Sequence, residues 1–185
     1  RTPELHHNPA GALATLLHAA DTELGHPIQV LMPYTDRLKP LTFWFQQLWA
    51  ESLGKRRGDE GVGPTPLPAV GATDQHAQVQ LFMEGPADKV TVFVATDPPP
   101  DPLTVPALHS DEEALAYLGG HTLAELLDTE RRATTEALRR VGRPSMTLEV
   151  GAVDAEGLGA LILLLEAATV HAGALYGVDP LDQPG

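Results

Sequence analysis

The chain has 185 residues, is 43% hydrophobic, carries a formal charge of −13 and has no cysteine. It is long enough for one domain with a real core and too apolar to be disordered. The charge argues against nucleic acid, whose phosphates would be repelled, and the missing thiols exclude disulfides, thiolate metal sites and thiol catalysis.

Arg1 is not an initiator residue and no signal-peptide pattern follows it, so the chain reads as excised from something longer. Asn8-Pro9 reads as an N-cap with proline at the first helical position. Leu13, Leu16, Leu17 and Ala20 then recur at helical spacing, and Gly25 closes the helix. After Pro27, the apolar run Ile28 to Met32 reads as a buried strand. Leu38 to Leu53 is the next helix, with Leu41, Phe45, Leu48, Trp49 and Ser52 near one side, and Gly54 ends it as a C-terminal cap. Arg56 to Pro68, rich in glycine, proline and charge, reads as a loop, with Lys55-Arg56-Arg57 either a solvated cationic triplet or a local positive site directly after Glu51. Leu67 to Val70 is at most a short strand. A helix from about Asp74 to Met83 leads to Val90–Ala95, the clearest strand. Asp97 to Pro102 is an extended surface connection.

Ser110 with Glu113 and Thr122 with Glu125 are two capping boxes, expected to start a short helix and a long one ending near Val141. Gly142-Arg143-Pro144 breaks the chain before a strand, Met146 to Val150. Asp154 caps a last helix, Ala155 to Tyr176, apolar nearly all round and therefore expected to be buried on several sides. Its richest run, Leu158 to Leu165, is too short to span a membrane. No internal repeat is visible. Strands alternating with helices at these spacings predict an α/β fold, a three-layer αβα sandwich on a mostly parallel sheet. In that architecture ligands bind beyond the carboxyl ends of the strands, a position open to both Glu51 and His76.

Two segments carry the chemistry. Gln47 and Glu51 are four apart and share one helical face, with Glu51 in the last turn beside a loop. His76 follows a Gly-Ala-Thr-Asp turn in the first turn of the next helix. A carboxylate that takes a proton and an imidazole that shuttles one can move hydrogen between adjacent carbons of a sugar. MPYTDRLKPLTFWFQQLWAESLGK, VGATDQHAQVQLFMEGPADK, GHTLAELL and GALYGVDPLDQPG stand in order along the chain. Together they resemble the C-terminal half of the bacterial phosphoglucose isomerase (glucose-6-phosphate isomerase) family.

The resemblance implies a sugar-isomerase (SIS-type) domain over residues 28–185, with residues 1–27 a helical segment leading from an N-terminal domain. It implies interconversion of glucose 6-phosphate and fructose 6-phosphate through an enediol, in glycolysis and gluconeogenesis in the cytoplasm, with no metal or organic cofactor. It assigns proton transfer at carbon to Glu51, ring opening to His76, and substrate hydrogen bonds to Gln47 and Gln183. The other seven histidines are then structural or surface residues. The family's histidine reaches into the neighbouring subunit's site, so a homodimer with a shared site is expected. Leu181 stands where the family usually has an aromatic. The family's terminal lysine and its phosphate-binding and arginine groups lie outside the chain, so the chain alone is expected to be nearly inactive. Two other readings stay open: a non-catalytic phosphosugar-binding module, and the isomerase half of a transaldolase–isomerase fusion.

Overall fold

The computed structural model describes residues 4–182. Its centre is a four-stranded, fully parallel sheet in the order β4-β1-β5-β6, formed by β1 (Ile28–Pro33), β4 (Thr65–Pro68), β5 (Lys89–Ala95) and β6 (Ser145–Glu149). Helices cover both faces, so the expected αβα class holds. Period-two alternation divides the strand side chains between two cores. Leu31, Val90, Val92 and Val94 join α1 (Pro9–Thr22), α2 (Lys39–Leu53) and α6 (Ala155–Tyr176) on one face. Val30, Met32 and Phe93 meet Phe82 of α3 (Gln80–Glu84) and Leu138 of α5 (Leu123–Arg140) on the other.

Several helix ends obey local rules. The Asn8 side chain accepts from the Gly11 amide, 3.0 Å away, with Pro9 in the first turn. Asp154 accepts from Gly157 N at 2.8 Å. Thr122 and Glu125 form a reciprocal capping box. The second expected box does not form. The short α4 (Glu113–Ala116) starts after Glu112, with no side-chain cap, and Ser110 lies in the preceding turn. No buried helical face follows Ser110 to hold a helix of useful length in place.

Two further expectations need correction, and one holds with a different geometry. The stretch after Gly54 is not a plain loop. It folds into an antiparallel hairpin, β2 (Lys55–Arg57) with β3 (Glu60–Val62), and then enters the sheet as β4. Gly54 does end α2, its amide bonding Ala50 O at 2.9 Å, but at φ −73° rather than in the left-handed region. Its missing Cβ matters for space, because that atom would sit 2.7 Å from Ala50 O. Finally, α6 is buried along one side only. Leu161, Leu165, Ala168, Ala172 and Tyr176 pack inward, whereas Leu163, Val170 and Leu175 are exposed. α6 has 22 residues, and an 18-residue stretch of it has a mean hydropathy of 1.8, so it is also the one described helix long and apolar enough to cross a membrane.

One polar network ties the helical layer to the sheet. Gln29 points from β1 into the face shared by α1 and α2. Its amide nitrogen donates to Leu17 O at 2.9 Å, and its carbonyl accepts from the Trp49 indole at 2.7 Å. Both side chains are fully enclosed. Every hydrogen-bonding direction used here is fixed, so the amide can sit only one way round.

Candidate active site

Glu51 lies near the carboxyl end of α2, exposed, and Gln47 donates to its carboxylate across one turn at 3.1 Å. The shared face read from their spacing is therefore real. Which end of the molecule they occupy follows from the crossover. β1 and β4 are parallel and pair from their first residues, Ile28 beside Thr65. The helix between them must run back against the strands, so its last turn lies at the amino ends of the strands. Gly63, just before β4, accordingly packs against Leu53 O.

The same end gathers the tail of the chain. Lys55 Nζ donates to Asp179 O at 2.7 Å and also to Asp182 O. Arg57 Nη1 donates to Tyr176 O at 3.1 Å, and Arg57 also pairs with Glu60 at 3.4 Å. The cationic triplet is thus not a merely solvated loop. Two of its three members are tied to main-chain carbonyls following or ending α6. Their position directly after the glutamate helix was the available sequence signal, and the hairpin that aims them had no apolar pattern to betray it. Gln183 lies outside the described residues, one position beyond Asp182.

His76 sits elsewhere. Beyond the carboxyl end of β4, Val70 and Asp74 close a loop through paired bonds: Val70 N to Asp74 Oδ2 at 2.7 Å and Asp74 N to Val70 O at 2.8 Å. The chain then makes a π-helical turn, Gln75–Val79, before α3. Such wide turns are common at functional positions. Tyr34, from the end of β1, donates to Gln75 Oε1 at 2.8 Å and lies 3.1 Å from Thr134 Oγ1. Burial holds the Tyr34 hydroxyl above its ordinary pKa. Gly71 lies directly against the Tyr34 ring, where a Cβ would come within 2.5 Å. These bonds pin the start of the turn, and His76 projects from it exposed to solvent.

Glu51 and His76 are therefore not neighbours within one chain. They flank opposite ends of the sheet, separated by most of a 15-residue helix, on the order of 20 Å. Of the two, only His76 has the carboxyl-end placement expected from the fold.

A cleft of about 990 Å³ contains neither of them. It opens beyond the carboxyl ends of β1, β5 and β6, between Thr35, Thr96 and the start of α5. Five carboxylates and three guanidinium groups line it. Asp128 already engages Arg131 at 2.7 Å and Arg132 at 3.0 Å, so the cleft is a poor receptor for phosphate. At the chain start, ligand atoms of Glu4, His6 and His7 lie within 4.8 Å of one another. All three residues are exposed, and His6 lies 3.3 Å from Glu4.

The family described as phosphoglucose isomerase matches residues 6–185. A glucose-6-phosphate isomerase of Rubrobacter xylanophilus is 49% identical over 178 residues, covering 96% of this chain and 40% of the relative. One from Carboxydothermus hydrogenoformans is 42% identical, covering 96% and 39%. A crystal structure of a hypothetical protein from Thermus thermophilus superposes with a TM-score of 0.86 at 42% identity, over 94% of this chain and 41% of that one. A glucose-6-phosphate isomerase from Chlamydia trachomatis, 22% identical with a TM-score of 0.76 over 94% and 35%, shares the fold. The chain spans about 40% of the length of the curated relatives it matches.

Proposed function

The chain belongs to the phosphoglucose isomerase family, and from that premise we propose that it supplies the proton-transfer groups of an aldose–ketose isomerase acting on glucose 6-phosphate and fructose 6-phosphate. The observation that carries this reading is the exposed Gln47–Glu51 pair at the end of α2, beside the tail that leads to Gln183. On a closed sugar ring, His76 moves a proton between the O5 and O1 positions and opens it. On the open chain, Glu51 takes the proton from C2. The C2–H electron pair becomes the C1–C2 double bond of an enediol, and O1 gains a proton. Glu51 then delivers its proton to C1 while O2 loses one and becomes the ketone. Gln47 holds the carboxylate toward the reacting edge and shares the sugar's hydroxyl groups with Gln183. The reaction takes place in the cytoplasm, in glycolysis and gluconeogenesis.

Two chains are needed. Glu51 and His76 occupy opposite ends of one sheet, so one site takes Glu51 from one chain and His76 from its partner. A two-fold axis then builds two such sites at once. Subunit complementation tests the idea in a protein of family length. Glu51→Gln and His76→Ala variants are each expected to be nearly dead. Mixed after reversible dissociation, they regain about a quarter of the wild-type rate, because half the dimers are mixed and each holds one intact site. No recovery on verified mixed dimers means that the two residues act within one chain or not in one site. A protein of family length that binds the sugar phosphate without turnover is instead a binding module.

A further inference from the structure

We infer that Lys55 is a positioning residue: it holds the main chain leading into Gln183 against the end of α2 that carries Gln47 and Glu51. The inference rests on the isomerase reading above and deepens it. Lys55 begins β2, two residues past the last residue of α2. Its ammonium group spans the gap to the tail and donates to two carbonyls three residues apart, Asp179 O and Asp182 O. An ammonium group has three N–H donors and no acceptor, which suits it to gather carbonyls.

The tail needs such a tie. After Gly177, which closes α6 in the left-handed region at φ 70°, the chain has left the helix. The tail bonds are Val178 N to Gly173 O at 2.9 Å, Leu181 N to Asp179 Oδ1 at 2.9 Å and the two Lys55 contacts. The first two are local to α6 and to the tail itself. Among the described residues, the hydrogen bonds joining the tail beyond Gly177 to the hairpin, and through it to α2, are those of Lys55. Arg57 makes the parallel contact one step earlier, to Tyr176 O. A glutamine held from a separate segment can meet a sugar in register with Glu51 only if that segment is fixed relative to α2. Misplacement by about 1 Å costs up to roughly a hundredfold in rate.

The test uses Lys55→Met, which removes the donors but keeps the stem, Lys55→Arg, which keeps charge and donors, and Arg56→Met as a control. Arg56 is exposed, and its side-chain hydrogen bond among the described residues is to Asp59 O, at 3.2 Å. The first readout is amide hydrogen exchange over residues 177–182. The second is steady-state kinetics in a protein of family length. Lys55→Met is expected to speed exchange in that segment and lower kcat roughly tenfold to a hundredfold, with a smaller change in KM. Lys55→Arg recovers most of both, and Arg56→Met changes neither. Unchanged exchange in Lys55→Met overturns the inference. So does a loss confined to KM that high salt abolishes, since that marks Lys55 as a charge attracting phosphate. Faster exchange with unchanged kcat overturns the positioning role. If the wild-type protein has no isomerase activity, the function proposal falls, while exchange still decides whether Lys55 holds the tail.

Discussion

Glu51→Gln keeps the shape of the side chain and its bond to Gln47 while removing the basicity. Isomerisation should fall by at least about a hundredfold in a family-length protein, the low end of a general base's contribution. Binding of a sugar phosphate, read by calorimetry, should change far less. Activity within a few-fold of wild type would remove Glu51 from the role. Stability has its own single-residue determinant in Gln29. Replacing it with leucine leaves the Trp49 indole N–H and Leu17 O without their buried partner. The expected cost is about 1–3 kcal/mol, measured by urea unfolding. Leucine tolerated there without loss would mean that water or a shifted neighbour satisfies the indole. Residue-scale chemistry was legible in part. Four-residue spacing placed Gln47 and Glu51 on one face, and the structure joins them. The partners of Lys55 and Arg57 were not legible, since main-chain carbonyls more than a hundred positions away leave no trace in side-chain pattern.

Among the elements, helices with both a cap and an apolar face were readable to within a residue or two, α1, α5 and α6 among them. Elements without an apolar pattern were not. Ser110-x-x-Glu113 matches a capping box in letters, yet α4 has only four residues and none of them is buried. β2 and β3 have three residues each, mostly exposed, so no alternation marks them. This contrast gives a paired test. Thr122→Ala should cost about 1 kcal/mol, because α5 loses a bond that satisfies a first-turn amide. Ser110→Ala should cost nothing measurable. Equal losses by thermal melting would show that the Thr122 box is decorative or that Ser110 has a structural role. The π-helical turn was also hidden. Its sequence reads as ordinary helix, and only the closed Val70–Asp74 loop and the Tyr34–Gln75 bond reveal what fixes it.

For the molecule as a whole, alternation of strand and helix gave the αβα layers. It also contained, unread, the fact that a helix crossing between parallel strands must end at their amino edge. That is why Glu51 and His76 separate. The whole fold also has an alkaline limit. Burial raises the pKa of both Tyr34 and Tyr176, and Tyr176 has in addition the Asp21 carboxylate 2.6 Å from its hydroxyl. The folded state therefore holds these protons more tightly than the unfolded chain. The associated stability is fully present below about pH 10 and is lost as the pH rises through the folded values. Melting temperature should decline above that pH, and Tyr176→Phe should flatten the decline. An unchanged slope in that variant would assign the effect to other groups.

Both tryptophans of the chain, Trp44 and Trp49, lie on α2, the helix that carries Gln47 and Glu51. Trp49 is sealed in the core with its indole bonded to Gln29, and Trp44 is half-buried. With Trp44 replaced by phenylalanine, every photon of indole emission comes from the turn next to the glutamate. Its wavelength then reports in real time whether that helix stays seated while a sugar phosphate is added, without any attached dye.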